Sequence, residues 1–292
     1  MIHSFYKEQK MATKSKVANR FVYEHFDSVQ DFEHVLATRK AHDFFGKRPS
    51  GRARDTSGWA GPDTWKESLE LLKNGWNAPV EKIIGTLKQY QKKLESEKSV
   101  RIRDRVGFAP SVPDAIKGFP ISMYNTKKEV VENPTIHIMY NMTGMSSFHA
   151  IQLLENSLTV LKMIMKLESE GKHVALDIVC KSSYDDYQDQ YVMCSVRIKN
   201  GNQPMNLLKM AYPIANPGMF RRQGFAWLES QPEVEAYWSG YGVSLRHLDK
   251  DHKEEFWKNM PVDKKGLIYI DGEDCEDAGH DPIKLWENLS KK

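Results

Sequence analysis

The stretch from Pro134 to Lys181, PTIHIMYNMTGMSSFHAIQLLENSLTVLKMIMKLESEGKHVALDIVCK, constrains the fold more than any other part of the chain. Thr135 to Tyr140 is a short apolar run bounded by Pro134 on one side and by Asn141 and Gly144 on the other, the mark of a buried strand ending in a turn. Ile151, Leu154, Leu158, Leu161 and Met165 then recur three and four residues apart, which predicts one apolar face of a long helix. Gly171 supplies the residue that stops such a helix, with Lys172 and His173 beside it. Val174 to Cys180 is almost wholly apolar, as a strand covered on both faces would be. Strand, crossover helix and strand make a βαβ unit, and handedness rules make the two strands parallel.

Ligand sites in such sheets lie beyond the carboxyl ends of the strands. The loop at that place, Asn141-Met142-Thr143-Gly144-Met145-Ser146-Ser147, is rich in hydroxyl and amide groups. A further strand is predicted at Gly266 to Ile270, ending in Asp271-Gly272-Glu273-Asp274. Two strand ends therefore offer oxygen atoms to one region. Asp177, alone in an apolar strand, needs a partner to be buried at all, and His137, His173 and Tyr269 are the candidates.

On these residues the part from about 130 to 292 resembles a von Willebrand factor A domain, a Rossmann-like fold. That family has an Asp-x-Ser-x-Ser metal motif after its first strand and an Asp-Gly pair after a later one. Here Asn141 stands for the first Asp, Thr143 for the first Ser and Met145 for the second, with Ser146 and Ser147 one and two places late; Asp271 and Gly272 fit the later pair. The resemblance implies metal ligation by Asn141, Thr143, Ser146 and Asp271. It also implies a partner-binding rim of Ser147, Asn216, Glu273 and Asp274. Magnesium wants several oxygen ligands with one or two carboxylates. Asn at 141 removes a charge and Met145 offers no oxygen, so either no cofactor or a residual magnesium site is expected, and a vestigial site over an intact one. The simpler expectation is that Asn141 and Thr143 close a turn or cap a helix through their side chains.

Composition excludes several classes. The 292 residues carry 42 basic and 39 acidic side chains, a net +3, too balanced to demand a nucleic acid or a membrane. No apolar run approaches the ~18 residues of a membrane span, and the first sixteen residues lack the apolar core of a signal peptide. Three cysteines without CxxC spacing predict neither a disulfide framework nor a zinc site, and a reducing cytoplasmic setting. There is no Gly-x-Ser-x-Gly, P-loop, Gly-x-Gly-x-x-Gly or His-Glu-x-x-His, which lowers the odds of an enzyme.

The N-terminal half has aromatic residues scattered from Phe21 to Phe45 and six basic residues among Gly and Pro between Arg39 and Arg54. Lys47, Arg48, Arg52 and Arg54 could hold a nucleic-acid backbone, although such runs are more often solvated loops. Thr64 and Glu67 form a capping box for a helix carrying Trp65, Leu69, Leu72 and Trp76, and a second helix, 79 to 97, should pack on it as a hairpin. Residues 106 to 124, with three prolines, read as an extended connector. The segments SGWAGPDTWKESLELLKNGW and VGFAPSVPDAIKGFPISMY, with Asn74-Gly75-Trp76 and Pro110-Ser111-Val112-Pro113, resemble an uncharacterised family of tailed-phage proteins. Gln190 to Lys199 alternates as an edge strand with one wet face, in a hairpin with the strand before it. Arg221 and Arg222, at the start of a predicted helix, suggest an anionic partner.

The expected fold class is α/β: a Rossmann-like central sheet flanked by helices, of von Willebrand A type (130 to 292), with an N-terminal, mainly helical segment (1 to 125). The expected function is a phage-type protein-binding adaptor whose partner, by the resemblance, is a ring ATPase of the MoxR class, acting in the host cytoplasm. A virion structural or assembly protein and a nucleic-acid-binding protein are the alternatives.

Overall fold

The structure is a computed structural model that describes residues 14–18, 21–40, 51–54, 57–76, 80–98, 102–106, 109–125, 135–143, 149–183, 191–231, 254, 256–258, 260 and 262–290. The predicted unit is present: β6 (Ile136–Asn141), α5 (Ala150–Ser169) and β7 (Val174–Ser183), with β6 and β7 parallel. β8 (Tyr191–Lys199) returns antiparallel to β7, and β9 (Leu267–Ile270) lies parallel to β6 on its other side. Gly171 ends α5 with φ of 86°, a conformation that favours glycine.

The sheet extends further than the sequence predicts. β1 (Lys14–Ala18) and β2 (Phe21–Phe26) complete the order β1-β2-β8-β7-β6-β9, with β2 parallel to β8. β8 is therefore an interior strand, not an edge. Its Met193 and Ser195, placed by their period on the wet face, are fully buried. The result is a mixed α/β protein with a mostly parallel central sheet flanked by helices.

One face of the sheet holds the main core. Ile138, Tyr140, Ile178, Val192, Val196, Val22 and Phe26 pack there against α5, against α6 (Leu207–Ala215), and against the π-turn Met219–Gly224 with its continuation α7 (Phe225–Leu228). The same cluster takes in α1 (Val29–Thr38), α2 (Trp65–Asn74) and α3 (Val80–Lys98) through Phe32, Leu36, Leu72, Ile83 and Leu87. A single core thus runs through both halves of the sequence. The Thr64 cap is present, its hydroxyl accepting from the Glu67 amide at 3.1 Å. However, α2 packs chiefly onto α6 and α3 chiefly onto α5. Helix α5 buries Leu153, Val160, Leu161, Ile164 and Leu167, whereas Ile151 is exposed. So many of its residues are apolar that periodicity admits more than one face, and tertiary packing selects among them.

Residues 102–125 are not an extended connector. β3 (Ile102–Asp104), β4 (Ala109–Pro110) and β5 (Met123–Asn125) form a small separate sheet in the order β3-β5-β4, with α4 (Val112–Ile116) between β4 and β5. Near the C-terminus lie α8 (Gly272–Asp277) and α9 (Pro282–Leu289). The candidate strand at 240–245 lies outside the described residues.

The halves fit closely at Gly51. A Cβ there would sit 2.6 Å from the Ala226 nitrogen and 2.7 Å from the Arg222 oxygen, both backbone atoms that cannot swing aside. Gly51→Ala is expected to destabilise the fold by about 1–3 kcal/mol, the usual cost of overpacking. In Gly85→Ala, where a Cβ meets nothing within 4 Å on α3, the change should stabilise by about 0.5–1 kcal/mol. Urea unfolding of the two variants beside the wild type measures both.

Candidate functional site

At the carboxyl edge of the sheet, adjacent strands β6 and β9 end in Asn141 and Asp271. The Asn141 amide donates to Asp271 Oδ1 at 2.5 Å, and Asn141 Oδ1 accepts from the Thr143 amide at 3.0 Å, closing the turn after β6 as its residue type predicts. The Thr143 hydroxyl in turn accepts from the backbone N–H of Lys181, on β7, at 2.9 Å. Asp271 caps α8, its own amide donating to Asp274 Oδ2 at 2.8 Å. Thus Asn141, Thr143, Asp271 and Asp274 converge, as their positions at strand ends require. Ser146 and Ser147 lie outside the described residues.

Lys181 was not singled out by its sequence context, yet it shares the Asn141 face of the sheet and is fully buried. Its Nζ lies 5.1 Å from the centre of the Phe256 ring. Burial draws its ammonium down to about 7, and the nearby Asp271 carboxylate opposes that fall. The available signal was parity: Asp177, Val179 and Lys181 alternate onto one face, so a strand bearing a buried Asp should also bring the lysine there.

These residues do not fit a hard divalent cation. Of the two carboxylates in the group, Asp271 accepts an amide hydrogen from Asn141 and Asp274 accepts the Asp271 backbone N–H; Thr143 accepts from backbone, and a lysine ammonium lies in the same electrostatic neighbourhood. Magnesium needs oxygen atoms facing inward and negative charge in surplus. Among the described residues no group of three or more His, Cys, Asp or Glu side chains could hold a metal.

The remaining expected contacts divide. Glu273 and Asp274 are half-buried in the first turn of α8. Asn216 is buried, and its Oδ1 accepts from the Gly218 amide at 2.8 Å, fixing the entry to the π-turn. Beside the strand ends, Met142, His149, Leu153, Phe220 and Arg221 line a shallow hollow at the start of α5.

Arg221 and Arg222 do not face outward. Arg221 donates to the Trp59 carbonyl and stacks on its ring at 4.6 Å, while the buried Arg222 donates to the carbonyls of Pro62 at 2.8 Å and Ala53 at 2.7 Å. Arg52 donates to the carbonyls of Leu36 and Arg39 at the end of α1, and Arg54 is exposed; Lys47 and Arg48 lie outside the described residues.

A second polar cluster lies on the Lys181 face. Asp177 accepts from His137 Nε2 at 2.7 Å and from the Arg197 guanidinium, with His25 Nδ1 3.8 Å away. Ser195 Oγ lies 2.7 Å from both His25 Nδ1 and the Tyr23 hydroxyl. His137 was a foreseen partner; Arg197 was not, although the β7–β8 register sets it opposite Asp177. Ser195 and His25 might suggest a nucleophile and base, but Ser195 is completely buried and no substrate can reach it.

The fold and this strand-end site define a mixed α/β protein with a closed polar cluster at the ends of its parallel strands. The chain belongs to the family described as Domain of unknown function (DUF7192), whose model matches residues 9–290. No curated protein and no solved structure matches it. No helix among the described residues is long and apolar enough to cross a membrane.

Two outcomes are expected. Millimolar magnesium or a chelator should leave the wild-type melting temperature unchanged, since only a ligand that binds the native state shifts it. Asn141→Asp should set two carboxylates against each other and lower stability by about 1–3 kcal/mol, read in the same thermal scans.

A third outcome concerns acid. Burial lowers the His25 imidazole below its ordinary value, so its stabilising contribution is complete above about pH 6.5 and declines as pH falls through the lowered value. Burial would raise the Asp177 carboxyl, but His137 and Arg197 together outweigh it and hold the carboxyl low. Its contribution is complete above about pH 4 and lost below that. Urea midpoints against pH should therefore fall in two stages, and His25→Asn should flatten only the upper one.

Proposed function

We propose that this chain is a protein-binding adaptor of von Willebrand A type, whose contact face is formed by the carboxyl ends of β6 and β9. The observation that carries the reading is the meeting of Asn141 and Asp271, from separate strands, at 2.5 Å on the edge where open α/β sheets bind their ligands. The antiparallel β7–β8 hairpin beside the parallel β6–β7 pair supports the resemblance, as does the Asp271-Gly272 pair next to the end of β6. The face recognises its partner without a metal: side-chain hydrogen bonds within it take the place of coordination.

The partner implied by the resemblance is a ring ATPase of the MoxR class, and the phage-like segments favour the cytoplasm of an infected cell as the setting. Among the described residues no nucleophile with an accessible base lies on the face, and we read its work as binding. The test is affinity capture from a lysate of cells carrying the gene, with magnesium or with chelator. Capture of a defined partner should survive chelation and drop by about tenfold or more in Glu273→Arg, as expected for a central contact. It should be unchanged in Arg54→Glu, an exposed residue outside β6, β9 and α8. Capture that is insensitive to Glu273→Arg, or abolished by chelation in the wild type, would overturn the reading.

A further inference from the structure

Cys180 and Cys194 are free thiols, both buried, on neighbouring interior strands. Their spacing in the sequence marks no redox motif; the β7–β8 register does what spacing does not. In that antiparallel ladder Cys180 lies directly opposite Cys194, and both side chains enter the main core from the same face of the sheet. Residues opposed in this way have Cα atoms about 4.5–5.5 Å apart, inside the roughly 4.4–6.8 Å that a disulfide spans. The side chains also sense each other: burial raises the Cys194 thiol well above its ordinary value, and the Cys180 thiol beside it adds to the rise.

The π-turn closes over this pair. A Cβ on Gly224 would sit 3.2 Å from both Cβ and Sγ of Cys180, whose thiol donates to the Met219 carbonyl at 3.9 Å. The third cysteine, Cys275, lies on α8 and donates to the Asn156 carbonyl at 3.7 Å.

We propose that Cys180 and Cys194 are a redox pair that closes into a reversible cross-strand disulfide, with a low-molecular-weight disulfide such as oxidised glutathione as the oxidant. One cysteine, as its thiolate, attacks a sulfur of that disulfide and expels one glutathione thiolate. The other cysteine then attacks the protein sulfur of the mixed disulfide and expels the second. The two cysteine sulfurs are oxidised, the two glutathione sulfurs are reduced, and the two cysteine protons pass to the released glutathiones. Burial keeps glutathione out of the folded core, so the exchange accompanies folding or an opening of the β7–β8 hairpin. The pair stands apart from the adaptor reading, because neither thiol belongs to the strand-end cluster.

The test is to refold the purified full chain from urea into an equimolar mixture of glutathione and oxidised glutathione, quench with acid, and read intact mass and peptide map. Loop-closure entropy by itself favours the shorter loop in an unfolded chain, so a sample held in urea in the same mixture supplies the baseline. The refolded chain should be lighter by two hydrogens, and its ratio of the 180–194 bridge to bridges containing Cys275 should exceed the baseline by about tenfold or more, since pairings without the geometry are strained. Its circular dichroism should match that of the reduced chain, and dithiothreitol should restore all three thiols. Cys275→Ala should bridge like the wild type and Cys194→Ala should not. A refolded chain that stays reduced while the urea sample bridges, a bridge that contains Cys275, or a bridged chain whose circular dichroism departs from that of the reduced form would each overturn the proposal.

Discussion

Arg222 carries a permanent positive charge into the interior, and a cation there is tolerated only where polar groups surround it. The groups it finds are backbone carbonyls of Ala53 and Pro62, distant in sequence but brought against the π-turn. The turn matters: one extra residue per hydrogen-bonded ring places Arg221 and Arg222 side by side toward the same segment, a use to which π-turns are often put. On the other side, Glu229 accepts the Gly51 amide at 3.1 Å. Without this clamp the glycine-rich stretch 51–62 would leave its carbonyls to water and the core open between α1, α2 and α7.

The clamp explains why the chain folds as one core although its sequence reads as two parts. An ion pair with a buried carboxylate and a half-buried arginine works alongside it. Glu24, on β2, accepts both guanidinium nitrogens of Arg39 at 2.6 Å and the indole N–H of Trp227 at 2.7 Å. It joins the first helix and the last turn of the clamp to a strand added at the sheet's far side. Bidentate geometry of that kind is strong because both charges are satisfied together, and it fixes β2 beside β8 rather than leaving β8 as an edge.

The βαβ unit, the β7–β8 hairpin, the capped α2 and the strand before Asp271 were legible because each rests on local pattern: a period, a cap, a glycine stop. β1 and β2 were not legible. Residues 14–26 mix charge and aromatics without clean alternation, since Glu24 and His25 are polar residues buried by partners far along the chain. Likewise the arginines of the π-turn look like an anion site until the carbonyls of 51–62 are placed before them. The site divides on the same line. Asn141, Thr143 and Asp271 follow from strand ends, whereas Lys181 and Arg197 become visible only once register and parity are combined.

Those two missed residues share a cause. The Lys181 face of the sheet is covered in part by Phe256 and Met260; Asp177 and Lys181 on it are fully buried, and Arg197 and His137 half-buried. Charge can remain on such a face only in closed sets, and the strands supply both members: Asp177 against Arg197 across one ladder, Asp271 against Asn141 across another, with Lys181 near by. A face built this way sets its own charge balance. An added cation at the strand ends would have to break the Asn141 hydrogen bond and approach a buried ammonium, so electrostatics within the sheet oppose it, beyond the loss of any single ligand.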